Sequence, residues 1–201
     1  IYSNIRVSDI TGLVNIGITS FSITLAQNSS TVIATVHQDS FTGTPLTSLN
    51  LNGHTLTING DFIQRGGDLF VGTGILLVNG DYKIADTNTY SFGTLRMLST
   101  GYVKVEKNFL IDSRYGSTAY FTAGTLEVKG DFTQQSSYIS LAKSEELNFR
   151  PKETHKVILS GTQKQTVSFE DFSDSYFNNL TLDNSSEEGV EFASYVPVYG
   201  E

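Results

Sequence analysis

The sequence predicts an all-β protein wound as a β-solenoid (β-helix), with a short irregular β cap at its N-terminus. Three observations carry that prediction. A phrase recurs along the chain as Leu56-Thr-Ile-Asn-Gly-Asp-Phe62, Leu76-Leu-Val-Asn-Gly-Asp-Tyr82 and Leu126-Glu-Val-Lys-Gly-Asp-Phe132, with a worn copy at Val103-Lys-Val-Glu-Lys-Asn-Phe109. Inside each copy apolar and polar residues alternate with the period of two that belongs to a strand. The chain holds 18 Gly, 10 Tyr and 13 Phe but only 3 Pro, and no long stretch has helical apolar spacing. Repeats at this spacing mark a stacked, quasi-one-dimensional protein.

Residues 1–46 lack the phrase. Ile16-Gly-Ile18, Phe21-Ser-Ile-Thr-Leu25 and Thr31-Val-Ile-Ala-Thr-Val36 alternate like strands between Gly and polar breaks. The open end of a solenoid exposes strand edges and apolar ladders, so these residues are expected to form a β cap. A rival reading makes them the end of a preceding module.

The solenoid domain is expected over 47–201. In its first copy Leu56 and Ile58 face inward, Gly60-Asp61 turns the corner, and Phe62 returns to the inside. The same register gives Leu76, Val78 and Tyr82; Val103, Val105 and Phe109; and Leu126, Val128 and Phe132. No copy can bury its apolar face alone, so neighbouring coils must cover it. At the corner, Gly60, Gly80 and Gly130 are expected to supply positive φ, with Asn or Asp bonding nearby backbone. Asn-Gly also suits a hairpin, but a new copy begins about one coil later, which favours the solenoid. Steps of 20, 27 and 23 residues between Ile58, Val78, Val105 and Val128 imply loops of variable length on a constant core. An excursion is expected at about 138–153, after which the pattern resumes with Val157, Leu159, Val167, Phe169, Leu180 and Leu182 inward. About six coils are legible, and at about 4.8 Å each they make a rod of about 30 Å.

A net charge of −8 disfavours nucleic-acid phosphates and anionic membranes. Without Cys the chain has no disulfide, zinc–thiolate site or thiol nucleophile. No apolar run approaches the roughly 20 residues of a membrane span, so insertion by this segment is not expected. The chain opens on Ile1 without a leader and is expected to be part of something longer.

The ordered series Leu51-Asn-Gly-His-Thr-Leu-Thr-Ile-Asn-Gly-Asp-Phe62, Gly124-Thr-Leu-Glu-Val-Lys-Gly-Asp-Phe132, His155 to Phe169 and Phe177-Asn-Asn-Leu180 resembles a repeat unit of very large extracellular proteins of Gram-positive, clostridia-like bacteria. The resemblance covers about 49–192. It implies a right-handed β-helical stalk or adhesin-like segment, displayed at the cell surface, with no catalytic motif. Glu106-Lys-Asn108 departs from the pattern, which leaves the geometry of that corner open.

Candidate chemistry is sparse. Asp61, Asp81 and Asp131 share one register, with Asn108 between, and carboxylates in a row suit Ca²⁺. The alternative is that each caps its own turn, and no cofactor is expected. His37, His54 and His155 show no ligand spacing. Glu145-Glu146 and Glu187-Glu188 read as solvated charges, and Arg65, Arg96, Arg114 and Arg150 as scattered. The expected function is therefore non-catalytic, a structural or adhesin-like module partnered by a polysaccharide or another surface protein. The alternative is a module binding cell-wall polysaccharide, with Tyr90, Tyr115, Tyr120 and Tyr138 in or near the longer loops as ligand-contacting aromatics and Gln134 and Gln135 as amide partners.

Overall fold

The computed structural model describes residues 3–7, 13–16, 21–25, 29–31, 33–36, 48–85, 93–113, 120–137 and 149–201; for the first five segments it gives backbone path and pairing alone. Among these residues the chain is all β, a parallel β-solenoid without helix. The first turns comprise β1 (Ser3–Val7), β2 (Leu13–Ile16), β3 (Phe21–Leu25), β4 (Ser29–Thr31) and β5 (Ile33–Val36). Three turns of three strands follow. They are β6 (Ser48–Asn50), β7 (Thr55–Ile58) and β8 (Phe62–Gln64); β9 (Asp68–Phe70), β10 (Ile75–Val78) and β11 (Tyr82–Ile84); and β12 (Thr94–Arg96), β13 (Tyr102–Val105) and β14 (Phe109–Ile111). The later turns contribute two strands each: β15 (Thr125–Val128) and β16 (Phe132–Gln134), β17 (Lys156–Leu159) and β18 (Gln165–Phe169), and β19 (Asn179–Leu182) and β20 (Val190–Phe192).

These strands form three parallel sheets of five, seven and eight strands. The five-stranded sheet, β1-β3-β6-β9-β12, marks about five turns that have this face. An isolated bridge from Met97 to Phe121 carries it one turn further. The eight-stranded sheet, β2-β5-β8-β11-β14-β16-β18-β20, runs the length of the described stack. Its seven spacings of about 4.8 Å make about 34 Å. Every pairing is parallel, which a two-residue hairpin cannot produce. The strands of the N-terminal segment extend the same sheets, since β3 pairs with β6, β4 with β7 and β5 with β8. The expected boundary at residue 46 lies outside the described residues.

The repeat phrase places its apolar residues as its period requires. Leu56, Leu76, Val103, Leu126 and Val157 stand in one column, and Ile58, Val78, Val105, Val128 and Leu159 in the next. All ten are buried, at 1 % exposure or less. Full burial of such a side chain contributes roughly 1.5–3 kcal/mol, and here each needs a coil above and below. After the corner an aromatic column runs Phe62–Tyr82–Phe109–Phe132, with ring centroids 4.7, 5.4 and 5.1 Å apart. Tyr82 is the polar member, and its hydroxyl donates to Gln64 Oε1 at 2.6 Å. Gln64 Nε2 donates in turn to the Gly67 and Thr94 carbonyls, so the buried phenol and amide are both satisfied. Val167 and Phe169 are buried as expected. Leu180 packs partly against the core, whereas Leu182 is 54 % exposed. β19 is the outer strand of its sheet, so Leu182 has a ladder neighbour on one side only. Of the expected excursion at about 138–153, residues 138–148 lie outside the described residues, and 149–153 lie within the stack: Phe149 is buried against Phe121, Phe132 and Phe177, and the Lys152 N–H donates to the Phe121 carbonyl.

Candidate functional site

The corner is the first place where the repeat sets polar groups side by side. Asp61 Oδ1 accepts the Asp81 backbone N–H at 2.8 Å, and Asp81 Oδ1 accepts the Asn108 N–H at 3.1 Å. Asn108 Oδ1 accepts the Asp131 N–H at 2.9 Å, and Asp131 Oδ1 accepts the Thr166 N–H at 2.7 Å. Each side chain therefore caps the turn of the following coil, not its own. A parallel amide contact joins Asn79 to Asn59 at 3.0 Å. Asn108 continues the ladder as a carboxylate would, because only one acceptor oxygen is needed. The Glu106-Lys-Asn108 departure thus keeps the corner. Among the described residues no three His, Asp or Glu side chains converge as metal ligands. Burial alone would raise the Asp81 carboxyl, but the hydrogen bonds from Lys83 and the Asn108 N–H outweigh it and lower its pKa. Replacing Asp81 by Ala leaves the Asn108 N–H without its acceptor and is expected to cost about 1 kcal/mol in urea unfolding. Asp81→Asn retains the oxygen and should lie within about 0.5 kcal/mol of the parent, since Lys83 reaches the pair from an exposed position. Equal losses in the two variants would refute the inter-coil cap.

The corner glycines act differently from expectation. Gly60, Gly80 and Gly130 do not have positive φ; Gly53, Gly67, Gly72, Gly124 and Gly189 do. Glycine is required at 80 and 130 because the neighbouring coil passes too close for a Cβ. At Gly80 it would lie 2.6 Å from the Gly60 carbonyl carbon and 2.7 Å from the Asp61 nitrogen. At Gly130 it would lie 2.6 Å from the Lys107 carbonyl carbon. The reason is approach between coils, not left-handed backbone.

Of the candidate ligand aromatics, Tyr90, Tyr115 and Tyr138 lie outside the described residues. Tyr120 is half-buried beside the five-stranded sheet, and the Arg96 guanidinium carbon stands 4.4 Å from its ring centroid. Arg96 also lies 5.0 Å from the Phe70 ring and donates to Asp68 Oδ2 at 3.0 Å. Gln134 is spent inside the fold: Nε2 donates to the Gln135 carbonyl and Ser136 Oγ, and Oε1 accepts the Asp171 N–H. Glu187 and Glu188 are exposed, while Glu145, Glu146, His37 and Arg114 are outside the described residues.

The pairing shows what the sequence hid. Phe70 stands opposite Arg96. The Met97–Phe121 bridge sets Arg96 beside Tyr120. The Lys152 N–H donates to the Phe121 carbonyl and the Tyr176 N–H to the Phe149 carbonyl, which puts Arg150 between Tyr120 and Tyr176. The Phe177–Val198 bridge sets Pro197 next. One outward column thus reads Phe70, Arg96, Tyr120, Arg150, Tyr176, Pro197 along the stack axis. Its members are 21 to 30 residues apart in irregular steps, so no motif betrays them. Arg96 and Arg150, scattered in sequence, are aligned in space.

A second polar face runs along the seven-stranded sheet. Tyr102 donates its hydroxyl to Glu127, Ser160 Oγ donates to the same carboxylate at 2.8 Å, and Glu106 sits between Lys104 and Lys129 at 2.8 and 2.7 Å. The lysine hydrogen bonds, first that from Lys104, hold Glu106 below the usual carboxylate range. Inside the stack His155 is 0 % exposed, packed edge-on to Phe121 at 5.3 Å, with neither ring nitrogen hydrogen-bonded. Burial pulls its pKa down from 6.5 to about 3. His54 is half-buried.

Comparison with protein-family models, with curated proteins and with solved structures finds no match to this chain. Among the described residues no helix is long and apolar enough to cross a membrane.

Proposed function

We propose that the chain is a non-catalytic structural module of a larger extracellular protein, a stalk or adhesin-like segment at a bacterial cell surface. Its winding would be right-handed, as the resemblance to clostridia-like repeat units implies. The observation that carries this reading is the continuity of the ladders. Leu/Val columns, the aromatic column and the Asp/Asn caps all cross from coil to coil, so neighbouring coils are joined by the same contacts along the stack. A module so joined keeps its ends at a fixed separation and holds out its loops. The Cys-free acidic composition and the repeat resemblance support the surface setting.

The absence of cysteine makes the test direct. Thr57 and Thr181 stand five rungs apart in one outward column of the seven-stranded sheet, about 24 Å at 4.8 Å per rung. Spin labels on Thr57→Cys and Thr181→Cys should give one narrow pulsed-EPR distance, unchanged by salt. A broad or multimodal distribution would remove the rigid-spacer reading.

A second reading is a module binding cell-wall polysaccharide. The outward column containing Tyr120 favours it, because aromatic and cationic groups then line one straight face.

A further inference from the structure

We infer that the outward column beside the five-stranded sheet is a track for an acidic polysaccharide, with Arg150 as its anion subsite between Tyr120 and Tyr176. This rests on the second, glycan-binding reading and names its site and ligand class.

The two arginines of the column are in different states. Arg96 is already neutralised by Asp68, at 3.0 Å, and is held between the Phe70 and Tyr120 rings. Arg150 joins none of the ion pairs among the described residues. Its Nε is buried without a hydrogen-bond partner, as is that of Arg96, so a ligand would meet its terminal nitrogens. A half-buried arginine outside every ion pair among the described residues, in a chain of net charge −8, presents its terminal nitrogens as a planar donor pair for an oxyanion. Carboxylate or sulfate oxygens on a sugar match that fork. The tyrosines stand one rung to either side, about 4.8 Å away each. Tyr120 has Arg96 against its ring and Tyr176 packs edge-on with Tyr199 at 4.6 Å, and each offers its remaining ring surface and its hydroxyl to the flanking sugars.

The geometry favours a polysaccharide over other polymers. An extended peptide binds a sheet through free backbone at an edge, but on this face the backbone bonds run from rung to rung and are used. A nucleic acid brings one charge per about 1.7 Å, which one arginine outside the described ion pairs on this face of an acidic protein does not balance. A glycan carrying widely spaced charges, with uncharged ring faces between them, suits one arginine flanked by two tyrosines. Those flanking positions span two rungs, about 9.6 Å.

The test is affinity electrophoresis of the whole folded chain through native gels containing a polyuronate, a sulfated glycan or a neutral glucan. The polyuronate or the sulfated glycan should retard the protein. Arg150→Gln should weaken that retardation about tenfold or more. Tyr176→Ala should weaken it too, and Lys164→Gln, a change to a lysine paired with Glu191, should not. Thermal melts of each variant establish that the fold persists, and Tyr176→Ala decides the matter if Arg150→Gln unfolds. Retardation by the neutral glucan alone would overturn the acidic ligand while leaving the glycan-binding reading standing. Retardation by an anionic glycan that survives both the Arg150 and Tyr176 changes would overturn the site. No retardation in any gel would overturn the inference together with the reading beneath it.

Discussion

Gly80→Val is expected to prevent folding or to cost more than about 3 kcal/mol in urea unfolding. The added Cβ would sit 2.6 Å from the Gly60 carbonyl carbon and 2.7 Å from the Asp61 nitrogen, and against the Asp61 carboxylate. The first two are backbone atoms of the adjacent coil. They cannot withdraw without disturbing the β7–β10 and β8–β11 pairings on either side of the corner. Valine adds two methyl groups to that collision, and overpacking of this kind commonly costs 1–3 kcal/mol even where side chains alone must move. Gly72→Ala is the control. Gly72 has φ +60 and nothing within 4 Å of an added Cβ, so its cost is the left-handed backbone alone, roughly 1–2 kcal/mol. If Gly80→Val melts as the parent does, or if Gly72→Ala is the more damaging change, close approach is not what glycine serves at the corner.

The second large effect is a loss of stability in acid traceable to His155. In the folded chain burial among aromatic rings holds its pKa near 3, against 6.5 for the ordinary side chain. Between those values the unfolded chain binds a proton that the folded chain refuses, so stability falls as pH falls from about 6.5 to about 3. Above 6.5 the residue is neutral in both states and adds no slope. The gap between the two values corresponds to roughly 4–5 kcal/mol. Carboxylates such as Asp81 and Glu106, whose pKa is lowered in the fold, also lose their contribution in acid. The measurement is therefore a difference: urea unfolding of the parent and of His155→Leu, each from pH 7.5 to 3.5. The variant should be at least as stable at pH 7.5, since two unpaired buried nitrogens are removed, and should lose markedly less on acidification. Parallel pH profiles would show that His155 takes up its proton without penalty.

The period of two and the recurring phrase made the inner face legible residue by residue, from Leu56 to Phe169. An inward side chain in a solenoid answers only to its own strand and the coils beside it. The corner was legible in position but not in cause. A glycine seen in sequence suggests backbone freedom, whereas the neighbour that crowds Gly80 lies 20 residues away and becomes visible only when the coils are stacked. The same distance hid the acceptors of the Asp/Asn ladder. It also hid the outward column, where Phe70, Arg96, Tyr120, Arg150 and Tyr176 come together because loops of unequal length return the chain to one register. The N-terminal segment alternates like strands in the sequence, but it carries no copy of the phrase, and the parallel pairing of β3, β4 and β5 to β6, β7 and β8 had no sequence signal.

The Asp/Asn caps also give the stack an arrow. At every step the acceptor oxygen belongs to the earlier coil and the N–H to the later one, from Asp61 to Asp81, to Asn108, to Asp131, to Thr166. A coil added at the C-terminal side meets an acceptor already in place; a coil added at the N-terminal side must bring the acceptor with it. A finished turn thus asks of the coil after it only a backbone N–H, which every residue but proline carries, and of the coil before it a side-chain oxygen in the right place. A chain made N-terminus first places those oxygens before the N–H groups that they accept.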